Sequence, residues 1–88
     1  MNLQVFNNLD ITAKGEITFG EGSTFLGFRI YYGQKLVLYS YDDFFIEVYY
    51  DTETSEINKI DAFDNEDIRL DRYIDFMTGY QKNNSILD

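Results

Sequence analysis

Between Phe25 and Phe63 the apolar and aromatic residues come in short runs separated by turn chemistry, which is the pattern of strands rather than of helices. In residues 25–32, Leu26, Phe28, Ile30 and Tyr32 alternate with Phe25, Gly27, Arg29 and Tyr31, so the two sets are expected on opposite faces of a pleated strand. Gly33-Gln34 predicts a tight II′ hairpin turn, because glycine takes positive φ without steric cost. A second strand follows over 36–41. Asp42-Asp43 turns the chain into a third over 44–50, where Phe44, Ile46, Val48 and Tyr50 oppose Phe45, Glu47 and Tyr49. An acidic, hydroxyl-rich loop over 51–56 leads to a fourth strand over 57–63. Four sequential strands with short connections make an antiparallel meander.

The period changes after Phe63. Leu70, Tyr73, Ile74 and Met77 recur at i, i+3, i+4 and i+7, which predicts an amphipathic helix over 66–78 packed on the sheet. Asp64 or Asn65 is placed to cap it and Gly79 to stop it. At 100° per residue Asp67, Asp71 and Asp75 line up as a solvated acidic ridge. Residues 1–24 are ambiguous on local evidence. Phe6, Leu9, Ala13 and Ile17 have helical spacing with Asp10 as a cap, whereas Glu16–Phe19 also reads as a strand. The expectation is a single α+β domain over residues 1–80, with a polar tail over 81–88.

Read in order, Gly22, Phe25-Leu26, Arg29, Leu38-Tyr39, the run Phe44 to Tyr50, Ile57, Ile60, Phe63, Leu70 and Tyr73 resemble a family of short, uncharacterised bacterial proteins. Its members follow a pattern close to G-x-FL-x-x-R, then LY, FFVEVWY, spaced isoleucines, a phenylalanine and L-x-x-Y. The resemblance covers about residues 10–75 and is most specific at Phe44 to Tyr50. This chain departs from it with Tyr49 where tryptophan is common and with one extra residue, Ser23 or Thr24. The resemblance implies a fold rather than an activity, and it implies a helix before the glycine turn at 20–22.

Composition then narrows the function classes. With 44% hydrophobic and 18% aromatic residues the chain can form a core, although so short a domain buries a modest share of its surface. No cysteine and no histidine is present, which removes disulfides, thiolate sites, the usual general base and the commonest metal ligand. The net charge of −9 lies wholly after Tyr41, since Asp10, Glu16 and Glu21 balance Lys14, Arg29 and Lys35 before it. Such a balance argues against nucleic acid and anionic membranes as partners. With no long apolar run, a cytoplasmic location is expected.

Arg29 and Glu47 are each a lone charge inside an aromatic strand, so a cross-strand ion pair or an anchor for a small ligand is expected there. Tyr31, Phe45 and Tyr49 are the candidate binding aromatics, on the face away from the helix. Asp64, Asp67, Asp71 and Asp75 form the candidate acidic surface. Loop acids such as Asp51, Glu53 and Glu56 lack the spacing of a calcium loop. Neither a metal nor another cofactor is expected. The sequence points to a non-enzymatic protein–protein interaction module with a basic protein partner, in the manner of an immunity or inhibitor protein, or with a second copy of itself in a homodimer. The alternative is a small-ligand-binding domain using Arg29 and Glu47.

Overall fold

The structure is a computed structural model that describes the backbone of residues 1–76 and the side chains through Tyr73. Two short helices, α1 (Leu3–Asn7) and α2 (Ile11–Thr18), precede four strands, β1 (Ser23–Tyr31), β2 (Gln34–Tyr41), β3 (Phe44–Asp51) and β4 (Ile57–Phe63). A 3-10 helix, Ile68–Phe76, follows. The strands form one antiparallel sheet in the order β1-β2-β3-β4, so the architecture is α+β as the pattern predicts.

At the N-terminus the helical reading prevails over the strand at 16–19. Asn2 caps α1 by accepting the Val5 N–H at 2.9 Å, and Asp10 caps α2 by accepting that of Ala13 at 2.8 Å. The Thr18 hydroxyl, buried, donates back to the Lys14 carbonyl at 2.8 Å, which satisfies a polar group taken out of water.

The first two hairpins have two-residue loops. The first is centred on Tyr32-Gly33, not Gly33-Gln34: Tyr31 pairs with Gln34, and Tyr32 and Gly33 have φ of 48° and 78°. Two consecutive positive φ values make this a I′ turn in place of the expected II′, and its twist matches that of the flanking strands. The second loop, Asp42-Asp43, has Asp42 at φ 50°.

A bulge in β1 reorganises its faces. Pairing steps from Phe25 opposite Tyr39 to Gly27 opposite Leu38, so Leu26 is the extra residue. Phe25 therefore joins Phe28 and Ile30 on one face, and Leu26 goes to the other with Gly27 and Arg29. Strict alternation would have put Phe25 with Arg29.

The sheet consequently has two different faces. On one, Phe44, Ile46, Val48, Ile60 and Ala62 pack around Phe6 of α1, whose ring lies 5.7 Å from that of Phe44. On the other, Leu36, Leu38 and Phe63 pack with Leu70 and Tyr73 of the 3-10 helix. Each of those last two burials stabilises the fold by roughly 1.5–3 kcal/mol before entropy is subtracted.

The C-terminal element is not the expected α-helix over 66–78. Its cap is Asp67, whose Oδ1 accepts the Arg69 N–H at 2.8 Å, while Asp64 closes the preceding turn by accepting the Glu66 N–H at 3.0 Å. At about three residues per turn Leu70 and Tyr73 eclipse one another over the sheet. The same winding turns residues four apart by about 120°, so Asp67 and Asp71 do not fall on the one line that α-helical spacing predicts. Met77, Gly79 and the tail over 81–88 lie outside the described residues.

Candidate functional site

Glu47 sits at the centre of β3, opposite Leu38 of β2 and Asp61 of β4, and is 0% exposed. A buried carboxyl group is costly unless its oxygens find donors. Tyr49, two residues along the same face, donates its hydroxyl to Oε1 at 2.7 Å, and Tyr73 donates a short hydrogen bond to Oε2. Arg69 Nη1 stands 3.8 Å from Oε1.

Arg69 in turn is the hub of an acidic cradle. It donates to Asp61 at 2.7 Å through Nη1 and to Asp67 at 2.9 Å through Nη2 and 3.1 Å through Nε, with its guanidinium 4.5 Å from the Phe63 ring centroid. The Asp67 hydrogen bonds, ahead of the contribution from Asp61, hold its proton more tightly than usual. Reciprocally, Arg69 holds the Asp67 carboxyl below the usual carboxylate range. Burial first, then the Glu47 hydrogen bond and charge, push the Tyr49 phenol up to about 12 and raise that of Tyr73 as well.

The expected Arg29–Glu47 ion pair does not form. Arg29 lies on β1 opposite Leu36, and β2 separates β1 from β3, so two interstrand spacings, about 10 Å, stand between the residues. Tyr73 spans the gap. Its hydroxyl meets Glu47 while its ring lies 5.3 Å from the Arg29 guanidinium, which is also 5.1 Å from the Tyr31 ring. The Arg29 Nε is buried without a hydrogen-bond partner.

Phe45 stacks on Phe63 at 5.8 Å, and both Phe45 and Tyr49 pack against the cluster containing Leu70 and Tyr73. They lie on the face that the 3-10 helix covers, not on the opposite one, because the parity of β3 places them with Glu47. Tyr31 is exposed near the hairpin, with its ring 4.5 Å from that of Tyr32. Of the acidic set, Asp64 and Asp71 are exposed and Asp67 is engaged by Arg69, while the Asp75 side chain lies outside the described ones. Of the three carboxylates expected in the ridge, Asp67 is thus tied to Arg69.

The other face carries a feature the alternation did not reveal. Phe25, Phe28, Val37, Tyr39 and Tyr50 line an open groove of about 540 Å³ whose polar rim is Lys35, Asp51, Thr52 and Ser55. Tyr39 lies between two exposed rings, at 6.0 Å from Phe19 and 6.1 Å from Phe25, and Lys35 Nζ is 4.6 Å from the Phe28 centroid. Burial raises the Tyr39 and Tyr50 phenols above their ordinary range. The 51–56 rim is internally tied: Asp51 Oδ1 accepts the N–H groups of Glu53 at 2.8 Å and Thr54 at 3.1 Å, which lower its proton affinity, and Thr52 donates to the Gly33 carbonyl. Hidden in the sequence, the groove depends on the bulge at Leu26. The exposed Phe25 and Phe28 were its only available signal.

Among the described residues no group of three acids is placed to hold a metal, and no helix is long and apolar enough to cross a membrane. Comparison with protein-family models, with curated proteins and with solved structures finds no match for this chain.

Proposed function

We propose that this chain is a non-enzymatic protein–protein interaction module that binds through the aromatic half-face of β1 and β2. The observation that carries the reading is a contrast between the two faces. The buried carboxyl of Glu47 has both oxygens occupied by tyrosine hydroxyls, and Arg69 is occupied by Asp61 and Asp67, so this cluster is a structural tie. Phe25, Phe28 and Ile30 meanwhile stand exposed together on the other face, and apolar patches of this kind mark contact surfaces. The excess of acids after Tyr41 suits a basic partner in the manner of immunity and inhibitor proteins, with long-range attraction speeding the encounter.

Pull-down from the native cells tests this with wild type and with Phe28→Glu/Ile30→Glu. A partner that the wild type retains and the double variant loses supports the reading, and weaker capture at high salt identifies the electrostatic share. Equal capture by both proteins refutes the assigned surface.

A second reading, small-ligand binding at Arg29, draws on one observation: its guanidinium is flanked by Tyr31 and Tyr73, and its Nε is buried without a hydrogen-bond partner among the described residues. A guanidinium so placed suits a carboxylate ligand. Thermal shift with a panel of carboxylates, repeated on Arg29→Met, separates it from the first, because a ligand of the folded state raises the melting temperature only where its grip survives.

A further inference from the structure

The two halves of the sheet are finished differently. Over β4, Asn7 of α1 pairs with Ala62 as a strand would, donating to its carbonyl at 3.0 Å and accepting its N–H at 2.9 Å, and Lys14 of α2 donates to the Ile60 carbonyl at 2.9 Å. The outer edge is thereby blocked, one of the ways in which proteins protect an edge strand. Among the described residues no side chain guards β1 in this way. On the face beside it Phe19, Phe25, Phe28 and Ile30 are 50%, 57%, 44% and 60% exposed.

We infer that the occupant of this half-face is a second copy of the chain, packed face to face through β1 and β2 about a two-fold axis. The inference rests on the proposed contact surface and gives it a second copy of the chain in place of a basic partner. Area comes first. A free aromatic side chain offers on the order of 200 Å², so the four residues present roughly 400 Å² of apolar surface per copy. A standard interface buries about 800 Å² per partner, a little over half of it apolar. The patch is thus what one stable interface requires.

Charge comes second. Two copies of a −9 chain repel, and they can meet only where that charge is absent. Residues 1–41, which supply α2, β1 and β2, sum to zero, so the half-face is the neutral part of the molecule. The groove's rim also holds opposite charges, Lys35 and Asp51, and an isologous contact lets the cation of each copy meet the acid of the other. Face packing is favoured over edge pairing because the bulge at Leu26 breaks the ladder of β1, and because edge pairing would leave the aromatic side chains in water.

Sedimentation equilibrium on the full chain at low and high salt tests the inference. Wild type is expected to be dimeric, with a dimer tightened by salt because screening relieves the repulsion between the acidic halves. Phe28→Glu/Ile30→Glu should sediment as a monomer with an unchanged far-UV spectrum. Phe25→Gln, a milder change at an exposed site, should weaken the dimer measurably even if the double variant does not fold. Lys59→Glu on β4 should leave it intact. A wild type that is monomeric at all concentrations and salts, or a dimer indifferent to all three β1 changes, overturns the inference. A monomeric wild type whose partner capture is nevertheless lost in Phe28→Glu/Ile30→Glu would overturn self-association alone and leave the proposed contact surface standing.

Discussion

Replacing Tyr73 by phenylalanine removes a single hydroxyl from the most buried part of the sheet, and its cost follows from what that hydroxyl serves. Tyr73 is the donor to Glu47 Oε2, and both residues are 0% exposed. The ring of the phenylalanine keeps its place against Leu36, Leu38, Phe63 and Leu70, so packing changes little. A buried acceptor left without its donor costs about 1–3 kcal/mol, toward the upper end for a charged group. Tyr49→Phe removes the other donor, but Tyr49 is only partly buried and Arg69 Nη1 is 3.8 Å from the same oxygen. Water and the guanidinium can replace that bond, and the expected loss is about 0.5–1.5 kcal/mol. In a Glu47→Leu background the acceptor is gone, so Tyr73→Phe should cost far less than in the wild type, leaving a coupling energy of about 1–2 kcal/mol. Urea unfolding followed by far-UV circular dichroism measures all four corners of the cycle. In heat, a loss of 1 kcal/mol corresponds to roughly 4–8 °C in Tm for a domain of this size. Equal costs of Tyr73→Phe with and without Glu47, or a cost no greater than that of Tyr49→Phe, would refute the assignment of Tyr73 as the principal donor to a buried carboxyl group.

Two further outcomes are expected. Tyr32 occupies a left-handed conformation, φ 48°, at an exposed hairpin tip followed by Gly33, so Tyr32→Asn creates an asparagine-glycine I′ turn and should stabilise the fold by about 0.5–1 kcal/mol; an unchanged or lower urea midpoint contradicts the strain argument. Alkaline stability carries a definite sign: the unfolded chain releases tyrosine protons near pH 10 whereas folded Tyr49 keeps its own to about 12 and Tyr73 is also raised, so the contribution is complete below pH 10 and is lost as pH rises through 12. The unfolding free energy from urea titrations should fall across that interval, by at most ~1.4 kcal/mol per pH unit for each retained proton, and should fall less steeply in Tyr49→Phe/Tyr73→Phe.

Local pattern made the strands legible because each is short, aromatic and bounded by residues that suit a two-residue turn. It could not reveal the bulge at Leu26, since a bulge is a property of two strands in register rather than of one. The error at the first hairpin has the same origin: glycine marks a turn but not which of its two central positions it fills. Leu70 and Tyr73, three apart, fit an α-helix and a 3-10 helix equally well, and Asp67 rather than Asp64 or Asn65 caps the latter because Arg69 fastens it. The alternation within β3 correctly singles out Glu47 as a charge in an apolar setting. Its partners could not be read there, because one of them comes from residue 73 and the meander puts β2 between Arg29 and Glu47.

The two closures of the sheet differ in what each demands of the chain. On the Glu47 face a buried carboxyl must be met by hydroxyls in fixed positions, so Tyr49 and Tyr73 settle where the 3-10 helix sits. Polar constraint of this kind specifies geometry more than it adds stability. On the opposite face α1 and α2 are held by Asn7 and Lys14 to the backbone of β4, and their apolar residues reach Phe44, Ile46 and Val48. Helices of five and eight residues are too short to roof four strands as well, since at 1.5 Å per residue α2 spans about 12 Å. The uncovered half must therefore fall on β1 and β2, and the bulge then enlarges it by turning Phe25 outward beside Phe28 and Ile30. An apolar surface that follows from both the anchoring of the helices and the irregularity of β1 is a feature the fold maintains. Losing the Asn7 anchor, for example in Asn7→Ala, should loosen the helices over β4 without removing that surface.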